Sequence, residues 1–170
     1  MATSPSRLPP APLVGRSEEL TELAAALQSA AAGRGRTIFL VGEGGVGKTR
    51  LATAVAEHAT KMGFAVAHGR AYPVETGVPY ALFADALLPT LRALDPSTLT
   101  TLTRGGSAEL THLFPALATS SGTRTPDAAR GDPAEFKSRL LWNFAQFLAR
   151  YSARKPLLVV LENLQWADAS

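Results

Sequence analysis

The sequence predicts an α/β domain with a parallel sheet, and two observations support this prediction. Apolar runs at residues 36–41, 64–68 and 157–161 have the length and composition of short strands. Between them, longer segments place apolar residues at helical spacing, as residues 51–62 do. Strands that alternate with helices are typical of parallel sheets, which bind ligands at the carboxyl ends of their strands.

The helices are predicted from capping residues and breakers, taken in chain order. Residues 1–12, rich in Pro and Ser, are predicted to form a disordered arm ahead of one domain over 13–170. Four longer helices are expected: one capped by Ser17 and ended by Gly33, one from Thr49 to Gly63, one opened by Pro79, and one over 134–151. Two further predictions are one or two short helices at 110–117 and a mobile loop over 120–133. The apolar strand at 157–161 is predicted to be buried on both faces.

Composition limits the functions that the chain can have. Its 170 residues are 46% hydrophobic and 18% charged, which is enough for one domain with a core. The absence of cysteine excludes a disulfide scaffold and a cysteine-based metal site. The net charge is +3 and the basic residues are scattered, so we expect no direct nucleic-acid binding by this segment. With no apolar leader and no run of membrane-spanning length, the sequence predicts a soluble, cytoplasmic chain.

The most informative motif is the octapeptide 42–49, Gly-Glu-Gly-Gly-Val-Gly-Lys-Thr, which matches the phosphate-binding P-loop pattern. It follows a predicted strand and opens a predicted helix, which is the context that such a loop requires. The glycines let backbone N–H groups approach phosphate oxygens, and the helix N-terminus favours an anion. Lys48 is expected on the β- and γ-phosphates, with a catalytic role, and Thr49 on a Mg²⁺ ion held by them. Nucleotide contacts are therefore assigned to Gly42, Glu43, Gly44, Gly45, Val46, Gly47, Lys48, Thr49 and Arg50.

A second motif follows the last predicted strand. In P-loop ATPases such a strand ends in an acidic residue that holds Mg²⁺, and often a second acid polarises the attacking water. Glu162 occupies the first position, where it is a candidate Mg²⁺ ligand and catalytic residue, although it could also be a solvated acid at a strand end. Asn163 occupies the second, and its amide can orient water but cannot accept a proton. We therefore expect hydrolysis to be weak.

Four stretches, 13–20, 42–51, 77–83 and 157–170, together resemble one known family. The chain is similar to the N-terminal part of the AAA-type, origin-recognition-like ATPase module of large bacterial regulators. These regulators include the signal-transduction ATPases with numerous domains, called STAND proteins, many of which end in a LuxR-type DNA-binding domain. The resemblance implies ATP or ADP as ligand, with Mg²⁺.

The same resemblance implies roles for residues around the two motifs. It places Val14, Gly15 and Arg16 beside the nucleotide, with Val14 on the adenine and Arg16 as a polar contact. From composition alone, Val14 could equally pack as a hydrophobic staple on the first helix. Asp168 is either the cap of a following helix or a substitute base for the missing acid.

The fold that the resemblance implies is a P-loop NTPase three-layer sandwich with a parallel sheet of at least five strands. In that fold a later strand lies between the P-loop strand and the strand that ends at Glu162. The sequence stops at Ser170, before that strand, so we expect an incomplete domain that lacks later strands and the helical lid. The effector and DNA-binding domains of a full-length protein would also be missing from such a fragment.

Three functions remain open at this point. The first is a nucleotide switch within a signal-transduction or transcriptional regulator, which needs binding but not fast hydrolysis. The second is an active Mg²⁺-dependent ATPase in which another residue polarises the water. The third is an interaction or DNA-loading fragment that binds no nucleotide.

Overall fold

A computed structural model of the chain describes residues 15–73, 80–115 and 132–167. These residues divide into two compact units, one ending at Val55 and the other beginning at Ala56. Val14, Pro79, Asp168 and residues 120–131 of the loop predicted over 120–133 lie outside the described residues.

The first unit contains helix α1 (Ser17–Ala31) and most of helix α2 (Lys48–Lys61). The prediction that Ser17 caps α1 is wrong by one residue, because Arg16 occupies the N-cap and makes no capping bond with its side chain. Ser17 is instead the first helical residue, and its carbonyl accepts a hydrogen bond from the Thr21 hydroxyl at 2.8 Å. The predicted apolar stripes are present, since Leu23 and Leu27 of α1 are buried, as are Leu51 and Val55 of α2.

The predicted strand at 36–41 is not formed. The run has no regular secondary structure, and its apolar side chains are exposed, with Phe39 at 72% and Val41 at 89%. A strand exists only where a neighbouring strand takes up its backbone N–H and C=O groups. The sheet among the described residues consists of two strands from the second unit, and the 36–41 run belongs to neither.

The second unit is built on a parallel pair of strands, which confirms the predicted α/β class. Its elements are β1 (Ala65–Arg70), α3 (Ala81–Arg92), α4 (Pro96–Leu102), α5 (Ser107–Leu113), α6 (Pro133–Arg154), β2 (Leu157–Glu162) and a 3₁₀ turn (Leu164–Trp166). The strand predicted at 64–68 therefore begins one residue later and continues for two more. The strand predicted at 157–161 gains Glu162, which pairs in register with Arg70.

Two helices of the second unit begin at capping residues that the predictions missed. Helix α4 was not predicted, although Asp95 is its N-cap and accepts a hydrogen bond from the Thr98 amide at 2.9 Å. The helix predicted at 134–151 begins at Pro133, behind the cap Asp132, and continues to Arg154. In both cases an aspartate followed by proline marks the first turn.

The core of the second unit lies between the strands and helices α3, α5 and α6. The largest fully buried side chains are those of Phe114, Phe147, Leu87, Leu102 and Leu110. Helix α3 packs closely on β1, because a Cβ added at Gly69 would lie 2.6 Å from the Leu82 carbonyl oxygen. The prediction that β2 is buried on both faces is wrong, since residues 157–161 are only partly buried.

Candidate functional site

The phosphate-binding motif forms an open turn that leads into α2. Gly45 and Gly47 have φ angles of +80° and +97°, a region that glycine enters without the steric cost that a Cβ imposes. A Cβ placed on Gly44, Gly45 or Gly47 would find no atom within 4 Å. The turn therefore leaves space beside its backbone that a group of phosphate size could fill.

Lys48, the first residue of α2, folds back across this turn. Its Nζ donates hydrogen bonds to the carbonyl oxygens of Gly42 and Glu43, each at 2.8 Å. The two bonds tie the start of the loop to the start of the helix. A full positive charge is therefore held at the loop by two neutral carbonyls, which phosphate oxygens can replace as stronger, charged acceptors.

The first turn of α2 adds to the positive potential of the loop. It contains no acidic residue, so the positive end of the helix dipole is not neutralised by a carboxylate within that turn. Leu51 N donates to the Gly47 carbonyl at 3.0 Å, so the helical bonding begins within the motif. The side chains of Thr49 and Arg50 are exposed. An anion at this helix start is favoured by backbone and side chain alike.

Arg16 contacts the same loop from a position 30 residues earlier in the chain. Its Nη2 donates to the Val46 carbonyl at 3.0 Å, and its Nη1 forms an ion pair with Glu19. The hydrogen bond from Arg16 lowers the pKa of the Glu19 carboxyl. Gly15 immediately precedes this arginine, whereas Val14 lies outside the described residues. The structure thus brings Arg16 to the P-loop, while its contact with a nucleotide stays a prediction.

Glu19 was not assigned to the site from the sequence. The available signal was its position three residues after Arg16 at the start of a helix, a spacing that brings side chains together on one helix face. The side chains of Arg16 and Glu19 are 33% and 39% exposed. The ion pair therefore contributes little to stability, and its main effect is to orient the arginine.

Glu162 belongs to the second unit and has two basic neighbours. Its Oε2 accepts hydrogen bonds from Arg70 Nη2 at 2.7 Å and from His68 Nε2 at 2.9 Å. Since a carboxylate can only accept, this contact requires the Nε2 of His68 to carry a proton. Glu162 is 8% exposed, whereas His68 and Arg70 are 44% and 45% exposed. The interpretation of Glu162 as a solvated acid is therefore wrong.

Sequence reasoning did not assign His68 or Arg70 to a site. The signal was their spacing of two residues at the end of a strand, which places both side chains on one face of the sheet. Their partner could not be identified from the sequence, because the register of β1 against β2 is a property of the folded sheet.

Asn163 leaves the strand in the left-handed helical region, with φ +60° and ψ +40°. Asn tolerates this conformation better than most residues, which gives a backbone reason for an amide at this position. Its Nδ2 donates to the Ala71 carbonyl at 3.5 Å, a long contact. Its carbonyl accepts from Trp166 N at 2.9 Å and so closes the 3₁₀ turn. The Trp166 side chain is exposed.

These observations differ in how well they fit a nucleotide and a metal. The open turn, the glycine backbone and the ammonium of Lys48 fit phosphate groups. Thr49 offers an exposed hydroxyl at the start of α2. A metal role for Glu162 stays a prediction, since Arg70 and His68 bind its Oε2 and neither donates to its Oε1, which is buried. In the three described ranges, no group of three or more His, Asp or Glu side chains could hold a metal ion.

Comparison with known families gives an independent result. The family model described as AAA ATPase domain matches residues 12–170, nearly the whole chain. The chain belongs to this family. AAA ATPase domains bind nucleotide, usually with Mg²⁺, so membership supports the phosphate-binding assignment of the loop. No curated protein and no solved structure matches the chain.

One further property of this AAA ATPase domain is the character of its helices. Among the described helices, none is both long enough and apolar enough to span a membrane.

Proposed function

We propose that this chain is an ATP- or ADP-binding module that acts as a nucleotide switch in a cytoplasmic signal-transduction or transcriptional regulator. The observation that carries the proposal is the loop at 42–49, with open glycine backbone, Lys48 across it and a helix start without acidic residues. Each of these features favours a polyphosphate. Effector and DNA-binding domains of a full-length regulator would receive the signal.

The residues of the loop have distinct roles in this proposal. Backbone N–H groups of the glycines and of the first turn of α2 bind phosphate oxygens. The ammonium group of Lys48, which lies across the turn, adds a positive charge for the β- and γ-phosphates. Thr49 provides the hydroxyl for a Mg²⁺ ion that the phosphates bring with them. Arg16 connects the loop to α1 through the Val46 carbonyl, so a change at the loop reaches that helix.

Asn163 supports binding rather than rapid hydrolysis. A neutral amide cannot take the proton of an attacking water. The left-handed backbone at this residue gives the asparagine a conformational role that needs no catalytic one. A switch needs only that the two nucleotides stabilise different conformations of the chain.

Isothermal calorimetry with ATP and with ADP tests the binding. Lys48→Ala removes a charge-assisted contact of about 1.5–3 kcal/mol, so the dissociation constant should rise by about 10- to 150-fold. Lys61→Ala is the matched control, because Lys61 lies at the other end of the same helix and its charge is lost equally. The proposal fails if the wild-type chain binds neither nucleotide, or if both alanine variants bind as the wild type does.

Two further measurements separate switching from catalysis. Amide hydrogen exchange of residues 42–47 and of α1 should differ between the ATP and ADP complexes. Identical protection in the two complexes would show that the chain binds nucleotide but does not switch. Steady-state phosphate release should stay at the background level. Release that depends on Lys48 would instead establish the Mg²⁺-dependent ATPase.

A further inference from the structure

The guanidinium of Arg16, the N-cap residue of α1, makes two contacts within the first unit. Its Nη1 forms an ion pair with Glu19 Oε1 at 2.5 Å, and its Nη2 donates to the Val46 carbonyl of the phosphate-binding loop at 3.0 Å. Because a guanidinium is planar and its N–H groups have fixed directions, the contact with Glu19 restricts the direction in which Nη2 points. The start of α1 therefore holds an oriented donor against one carbonyl of the loop.

The hydrogen bond to the Val46 carbonyl also determines where the next N–H group points. The peptide between Val46 and Gly47 is trans, so the carbonyl of the first residue and the N–H of the second point in opposite directions within one plane. Since the carbonyl faces Arg16, the Gly47 N–H faces away from it. Within the described part of the chain, this N–H donates to no backbone carbonyl. It is therefore available to an anion at the loop.

The other contacts of the loop do not fix the orientation of this peptide. Val46 N donates to the Glu43 carbonyl at 3.5 Å, which is long for a hydrogen bond, and Lys48 Nζ binds the carbonyls of two earlier residues. Turning the peptide over changes the ψ angle of Val46 and the φ angle of Gly47, and glycine adopts φ of either sign at little cost. Among the described residues, Arg16 is the side chain whose hydrogen bond holds this peptide plane.

We propose that Arg16 is a positioning residue, which through the Val46 carbonyl holds the Gly47 N–H toward a phosphate oxygen of the bound nucleotide. The inference rests on the proposed function and deepens it, because it assigns Arg16 to recognition of the phosphate chain. The base and the ribose have no part in this contact, so binding of inorganic tripolyphosphate should depend on Arg16 as much as binding of ATP does. Glu19 supports the contact by orienting the guanidinium.

NMR spectroscopy of the nucleotide-free chain tests the orientation of the peptide. The wild type is compared with Arg16→Met and with the control Arg34→Met, because Arg34 is exposed, belongs to the same unit and loses the same charge. In Arg16→Met the Val46 carbonyl carbon signal and the Gly47 amide signals should shift, since the peptide is no longer held. Unchanged Gly47 signals would overturn the proposal, and so would equal shifts in Arg34→Met. If Arg16→Met does not fold, Arg16→Lys, which lacks the planar fork, replaces it.

Calorimetry with ATP and with inorganic tripolyphosphate tests the role of the peptide in binding. Arg16→Met should weaken the binding of both ligands by about tenfold, because the variant no longer presents an oriented hydrogen bond to a charged phosphate group. Arg34→Met should bind both ligands as the wild type does. Weaker binding of ATP alone would overturn the proposal, since Arg16 would then contact the base or the ribose.

A direct contact between Arg16 and phosphate is the alternative that the spectra of the complex decide. Arg16 would then leave the loop, and the Val46 carbonyl carbon signal of the wild type would move to its position in Arg16→Met when tripolyphosphate is added. That result would overturn the proposal, which expects the hydrogen bond from Arg16 to persist in the complex. If the wild type binds neither ligand, the proposed function fails, and the spectra of the nucleotide-free chain still show whether Arg16 orients the peptide.

Discussion

The glycine at position 47 offers a sharp test of whether the observed turn is the one that binds phosphate. Its φ of +97° lies where residues with a side chain are strained, and no atom lies within 4 Å of an added Cβ. Gly47→Ala therefore introduces conformational strain without a collision. Gly44 is the matched control, because it is equally open but its φ lies outside the left-handed region.

The expected size follows from the backbone term alone. Placing an L-residue in the left-handed region costs roughly 1–2 kcal/mol. In the free variant the exposed loop can relax and avoid that cost, whereas binding must restore the turn. Since about 1.4 kcal/mol corresponds to tenfold in affinity, Gly47→Ala should weaken ATP or ADP binding by about 5- to 30-fold. Gly44→Ala should bind like the wild type, and neither variant should change the unfolding midpoint appreciably.

Calorimetric titration of the three proteins at one temperature and one salt concentration is the assay. Equal binding by Gly47→Ala and the wild type would refute the reasoning, because the bound loop would then not use the observed turn. Equal weakening by both variants would also refute it, since an added methyl group and not the φ angle would be responsible.

Two other predictions concern the second unit. Gly69→Ala should lower the free energy of unfolding by about 1–3 kcal/mol, because the added Cβ would lie 2.6 Å from the Leu82 carbonyl oxygen and overpack the contact. Urea unfolding that matches the wild type would contradict this close packing of α3 on β1. Hydrogen bonds from Ser97, and then from Thr98, hold the pKa of the Asp95 carboxyl well below its usual range. Because the folded pKa is depressed, this contribution to stability is present above the unfolded pKa of about 3.9 and is lost as the pH falls through the folded value. The difference in melting temperature between the wild type and Asp95→Asn should therefore shrink below about pH 4, and a constant difference would show that the charge is irrelevant.

The sequence predicted those features that depend on local patterns. Helices α1, α2, α3 and α6 carry apolar residues at helical spacing, and the structure forms all four within a few residues of the predicted bounds. The P-loop was readable because its chemistry lies in eight consecutive residues. The error at 36–41 has the opposite origin, since an apolar run predicts the capacity to form a strand and only a neighbouring strand realises it.

In the candidate site, too, the sequence predicted local features and missed contacts between distant residues. Lys48 and its loop were assigned from the motif, and the family resemblance placed Arg16 beside the nucleotide. The partners of Glu162 were not expected, because Arg70 lies 92 residues away along the chain. Nothing in the sequence between them indicates their contact.

By itself, the sequence determined the α/β class, the phosphate-binding loop and the absence of an acid at position 163. Each of these depends only on adjacent residues or on the spacing of apolar residues. Tertiary structure alone decided that Glu162 is buried against Arg70 and His68, and that Arg16 contacts the P-loop. The physical reason is that burial and ionic partnership depend on strand register and on helix placement. These distances are set when the chain folds, between residues that the sequence keeps far apart.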